Sequence, residues 1–193
     1  MEGHEGMENT ILYCEWFPLP KAEFRIMAML AEQGGTYSGN LSDMCRYFSV
    51  TPQSRNRAQL QTAIESLTSK GFLAATKLGR TYHLKLIPKE KEIALSHEWV
   101  KRLIARDYSS ESVSWEAVLK VLLWIIQNKQ PIVTNAMLAA ALNLSPSTIG
   151  SAKNVLEREY EAITRKRVSE KLGDNFFQVI GQELAASAWW KDE

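Results

Sequence analysis

The sequence predicts a mainly α fold with small β hairpins, an α+β arrangement in which two domains of one plan stand in tandem, joined by a helical linker. Three observations predict it. Apolar residues recur at helical spacing in three consecutive stretches of each half. Each set of three is followed by a stretch that reads as a hairpin. The joint between the second and third helix also carries one pattern twice: FSVTPQS at 48–54 and LNLSPST at 142–148, 94 positions apart in a chain of 193.

The first half opens with PKAEFRIMAMLAEQGG, where Phe24, Met27, Leu30 and Ala31 share a helical face. Pro20 suits the start of that helix and Gly34-Gly35 its stop. In NLSDMCRYFSV, Leu41, Met44, Cys45 and Phe48 fall at i, i+3, i+4 and i+7 of a short helix. Asn40 is placed to cap it, with Asp43 three residues on. A longer helix carries Leu60, Ala63, Ile64 and Leu67 and ends at Lys70-Gly71. FLAATKLGRTYHLKLI then alternates Tyr82, Leu84 and Leu86 with His83 and Lys85, around a Leu-Gly-Arg turn.

The second half repeats this order. Trp115, Val118, Leu119, Leu122 and Ile126 form the stripe of its first helix, and Thr134 caps a short one through TNAMLAAALNL. At an offset of 94, Asn40 meets Thr134, Met44 meets Leu138, Phe48 meets Leu142 and Pro52 meets Pro146. Leu60, Ala63 and Leu67 meet Ile149, Ala152 and Leu156 at an offset of 89, which assigns about five extra residues, around Gln53 to Arg57, to the first turn. The expected divisions are an acidic segment over 1–16, domains over 17–88 and 113–193, and a linker over 89–112. Trp99, Val100, Leu103 and Ile104 mark an amphipathic linker helix, a candidate for docking the domains or for a homodimer contact. ELAASAWW is expected to close the second domain as a helix, with Trp189 and Trp190 over its core.

NLSDMCRYFSVTPQ with LQTAIESLTSKGFL, and NAMLAAALNLSPSTIGSAKNVLEREY in the second half, resemble winged helix-turn-helix proteins. The resemblance covers about two thirds of the chain. The first half is most similar to helix-turn-helix domains of phage and plasmid replication-associated proteins, and the tandem order is similar to plasmid replication initiators. The chain departs from the pattern in its long first turn, and in Tyr160, which stands where Gly71 ends the first domain's third helix. The resemblance implies duplex DNA as the partner. It points to transcriptional regulation or to replication, with a lean toward mobile genetic elements.

Charge is unevenly placed. Residues 17–88 carry nine basic and four acidic residues, residues 1–16 four acidic and no basic ones, and residues 113–193 nine of each. Nucleic-acid binding depends on such local potential more than on net charge. In the first domain the third helix is expected to expose Arg57, Gln59, Gln61 and Thr62, with Arg55 in the inserted turn. Arg matches guanine and Gln adenine in the major groove. The wing adds Lys77, Arg80, His83 and Lys85 for backbone phosphates. The equivalent positions of the second domain are Ser147, Thr148, Ser151, Lys153 and Asn154, with a basic run of Arg165, Lys166 and Arg167 on its wing.

Other functions find little support in the residues. His4, His83 and His97 form no ligand spacing, and neither a phosphate-loop nor a nucleophile-elbow motif occurs. No enzyme, metal or cofactor is expected. Cys14 and Cys45 make no disulfide framework, and the acidic start lacks a secretory pattern, so the expected compartment is the cytoplasm. No run approaches the ~20 apolar residues of a membrane span. A protein partner is the competing expectation: a protein-binding module, such as a mobile-element-encoded inhibitor of a host nucleic-acid enzyme. The acidic segment and the neutral second half motivate it.

Overall fold

The computed structural model describes residues 9–106, 108 and 113–187. It is a mixed α+β chain of two compact units, one over residues 10–94 and one over the described residues from 95 onward. No helix among the described residues is long and apolar enough to cross a membrane.

The N-terminal unit runs β1 (Asn9–Tyr13), α1 (Lys21–Glu32), β2 (Thr36–Asn40), α2 (Leu41–Tyr47), α3 (Ser54–Ser69), β3 (Leu73–Leu78), β4 (Thr81–Leu86) and β5 (Glu92–Ser96). Helix α1 is its centre: Phe24, Ile26, Met27, Ala28, Met29 and Leu30 are all fully buried. Its end is fixed by Gly34 and Gly35, both at positive φ, with the Gly35 N–H returning to Leu30 O at 2.6 Å. The Asn40 cap on α2 forms, its Oδ1 accepting from the Ser42 and Asp43 N–H groups. Strand β4 lies between β2 and β3 in an antiparallel sheet. The β3–β4 loop is only Gly79-Arg80, with glycine at positive φ in the first position.

The C-terminal unit runs α4 (His97–Ala105), α5 (Trp115–Asn128), β6 (Ile132–Val133), α6 (Asn135–Leu142), α7 (Pro146–Arg158), β7 (Ile163–Lys171) and β8 (Phe177–Ala186). From α5 onward this is the order of the first unit from α1 to β4, and β8 again lies between the other two strands. A Cβ on Gly181 would stand 2.9 Å from Val133 O, so β8 passes β6 only because that residue is glycine. Helix α5 is central and buried on most sides. Its Lys120, 1% exposed, donates to Leu142 O at the end of α6.

The two joints share their backbone. Ser49 and Asn143, 94 apart, both take a left-handed φ, and the N–H groups of Val50 and Leu144 return to Cys45 O and Ala139 O at 2.9 and 3.0 Å. Beyond that point they diverge. The extra length of the first half is not all turn. Helix α3 starts six residues before Leu60, whereas α7 starts three before Ile149, so three of the five residues extend the helix. Gly71 holds the left-handed position after α3, but after α7 it is Glu161, not Tyr160, that takes it. Tyr160 is buried, its ring centroid 5.2 Å from that of Trp99.

Several boundaries differ from the sequence expectation. β1 and β5 pair with each other, so residues 10–16 are not a free acidic segment but part of the N-terminal unit, with Trp16 fully buried. The linker helix belongs to the C-terminal unit. Of its apolar stripe, Trp99, Val100 and Leu103 are buried there and Ile104 is half-buried. Glu183–Ala186 is strand, not helix, because β8 pairs with β7 along its length and with β6 at Gln182 and Glu183. Trp189 and Trp190 lie outside the described residues.

Candidate nucleic-acid interface

Helix α3 buries Leu60, Ala63, Ile64 and Leu67 and turns two different flanks outward. On one, Arg55, Gln59 and Thr62 are exposed and line a hollow of about 770 Å³ with Lys21 and Arg25 of α1. On the other, the Gln61 amide donates to Glu65 Oε1 at 2.9 Å beside a shallow groove along β3. Arg55, expected in the inserted turn, sits with Arg57 in the first turn of α3. Arg57 is half-buried, and its Nη1 donates to Pro52 O at 2.7 Å, which fixes the guanidinium.

The hairpin cations divide by strand parity, since successive side chains alternate between faces. Lys77 is the cross-strand partner of buried Tyr82, so it lies on the side of the sheet that faces α3, its ammonium 5.2 Å over the Tyr82 ring. His83 and Lys85 are on the opposite face, where His83 Nδ1 meets Ser38 Oγ at 3.1 Å. The fold thus splits the hairpin cations between two faces.

Lys77 and Arg80 close on a hollow of about 640 Å³ with Arg57 of α3 and Arg46 of α2. Asn40, Ser42 and Tyr82 complete much of its wall. Arg46 was missed in the sequence. Its ion pair with Asp43, three residues back, has the look of an ordinary solvated helix face, and only the folded hairpin brings it to this hollow. Lys21 and Arg25 were missed for the same reason: they read as the polar side of a helix.

The C-terminal unit keeps fewer of its expected contacts. Ser147 is exposed and Thr148 half-buried, and their hydroxyls both pair with Ser145 Oγ, the cap of α7. Ser151 is half-buried and Asn154 exposed. Lys153 is not a surface residue. It is 1% exposed, donates to Gln182 Oε1, and burial pushes its pKa down to about 8. Arg165 turns inward to Glu157, and its hydrogen bonds hold that carboxyl below the usual range. Arg167, cross-strand from Gln182, shares the face of Arg165, and Lys166, cross-strand from Glu183, lies on the other. Both are exposed, but the basic run is not one patch.

Beyond them the β7–β8 hairpin exposes apolar side chains among polar ones. Leu172, Phe176, Phe177, Val179 and Ile180 are all exposed, Phe176 to 74%. Among the described residues no cluster of three or more His, Cys, Asp or Glu is placed to hold a metal ion. No protein-family model matches the chain, and none of the curated proteins compared with it is a significant match.

Proposed function

We propose that the chain binds duplex DNA through two winged helix-turn-helix units in series, with the N-terminal unit holding the duplex more strongly. The observation that carries this reading is the surroundings of α3. The helix bears Arg55, Gln59 and Thr62 on one outward flank, and the cations of α2 and the β3–β4 hairpin stand beside the other. A helix of this kind reads base edges in the major groove while the wing meets the adjacent backbone. The repeated element order and the shared joint geometry support a second unit of the same kind. Transcriptional control and initiation of plasmid or phage replication both fit.

A mobility-shift titration with duplex DNA over a salt series tests the reading. Binding that weakens steeply with salt is expected, because neutralised phosphates release counterions. No shift at low salt, together with a stable co-purifying protein, overturns it. That second outcome is the mark of a protein-binding module. The observation favouring that module is the exposed apolar end of the β7–β8 hairpin.

A further inference from the structure

The hollow between α2, α3 and the β3–β4 hairpin has more positive charge than one nucleotide step of duplex requires. Arg46, Arg57, Lys77 and Arg80 reach it from three separate elements. Only Arg46 is paired with a carboxylate among the described residues, that of Asp43. Three cations are therefore left for whatever enters. A bridging phosphodiester brings one negative charge. A terminal phosphate monoester brings about −1.5 to −2 near neutral pH, and a polyphosphate more. The volume, about 640 Å³, is also that of a small-molecule site and far beyond a single oxyanion. The polar groups are partly set in advance. Arg57 is held by Pro52 O, and Lys77 lies over the Tyr82 ring.

We infer that this hollow is a binding site for phosphate groups carrying two or more negative charges, whether the phosphorylated end of a nucleic acid or a nucleoside polyphosphate. It goes beyond the duplex reading and does not depend on it. Planar guanidinium groups bind such phosphates bidentately, and the lysine adds a point charge.

Calorimetric titration of the full chain with inorganic pyrophosphate tests the inference, with chloride at matched ionic strength as the reference. Saturable binding is expected, weakened by about tenfold or more in Lys77→Gln with Arg80→Gln. Both residues are exposed, so the variant should melt as the parent does without ligand. Arg57→Lys, which keeps the charge and loses the fork, is expected to weaken binding less. No saturable heat, or equal binding by the double variant, overturns the inference. Two duplexes of one sequence, with and without 5′-phosphates, then separate the sources. Tighter binding of the phosphorylated duplex assigns the site to nucleic-acid ends, and equal binding assigns it to free polyphosphates. Pyrophosphate binding in a chain that shifts no duplex leaves the site in place and removes only the duplex reading.

Discussion

In the N-terminal unit the third helix begins with Arg55 and Arg57, and Lys77 and Arg80 close over one side of it. In the C-terminal unit the equivalent helix begins Pro146-Ser147-Thr148, its Lys153 and the adjacent Arg165 of β7 are turned inward to Gln182 and Glu157, and its exposed cation, Arg158, sits at the far end. One order of elements thus supports two different surfaces. The difference comes from which face a side chain takes and whether it finds an internal partner, not from how many cations each half contains. Nine basic residues lie in each of the stretches 17–88 and 113–193, and among the described residues four of the first stretch gather around one hollow.

The comparison breaks most easily at the surfaces proposed to bind DNA. Arg55→Ala with Arg57→Ala is expected to weaken duplex binding by about a hundredfold at low salt and to lower the salt slope by about 2. Lys166→Ala with Arg167→Ala, on opposite faces of one strand, should cost less than about tenfold. Mobility shifts of both variants over one salt series decide it, and the reverse ranking would end the claim that the first unit dominates.

A smaller effect separates the interiors. Burial pushes Lys120 down to about 8, against some opposition from Glu116, and Lys153 to about 8, from an ordinary 10.5. Between pH 8 and 10 these two lysines keep their protons in the unfolded chain and have released them in the folded one, so their contribution to stability should rise with pH in that window. Each lysine contributes at most about 1.4 kcal/mol per pH unit. Urea unfolding at pH 7 to 10 reads the rise, and Lys120→Met should flatten about half of it. Burial raises the Cys14 and Cys45 thiols and so opposes this slope above about pH 8.5, which leaves the difference between parent and variant as the decisive reading; identical profiles would show Lys120 to be better solvated than its burial implies. The described residues of the N-terminal unit bury no lysine and add no such slope.

The smallest expected change in stability is at the apolar hairpin end. Phe176→Ser with Phe177→Ser should alter the unfolding free energy by less than about 0.5 kcal/mol, because both rings are exposed. Light scattering at rising concentration should nevertheless fall, as apolar strand surface is removed. A marked loss of stability would mean the rings are packed after all.

Much of the backbone was legible in the sequence. The apolar stripes of α1, α3 and α5, the Asn40 and Thr134 caps and the Gly79-Arg80 turn follow from local rules of spacing and capping. The short strands β1, β2 and β6 were not legible, since each is held by a distant partner rather than by its own pattern. TYSGN becomes β2 only because β4 lies beside it. ELAA becomes strand for the same reason, against the helical preference of Glu, Leu and Ala. In the site, exposure on α3 was readable from the Leu60 stripe. The inward turn of Lys153 and the arrival of Arg46 were not, because both depend on contacts across 29 or more residues of chain.

The pairing of β1 with β5 has a topological consequence. The Cys14 N–H reaches Lys91 O at 3.0 Å, so the chain enters and leaves the N-terminal unit at nearly one place. Paired strands lie about 4.8 Å apart. A unit whose two ends meet in this way can be grafted into a surface loop of another protein, or permuted by joining those ends and opening the chain elsewhere, without parting α1 from α3. The basic hollow would travel with it as a self-contained piece.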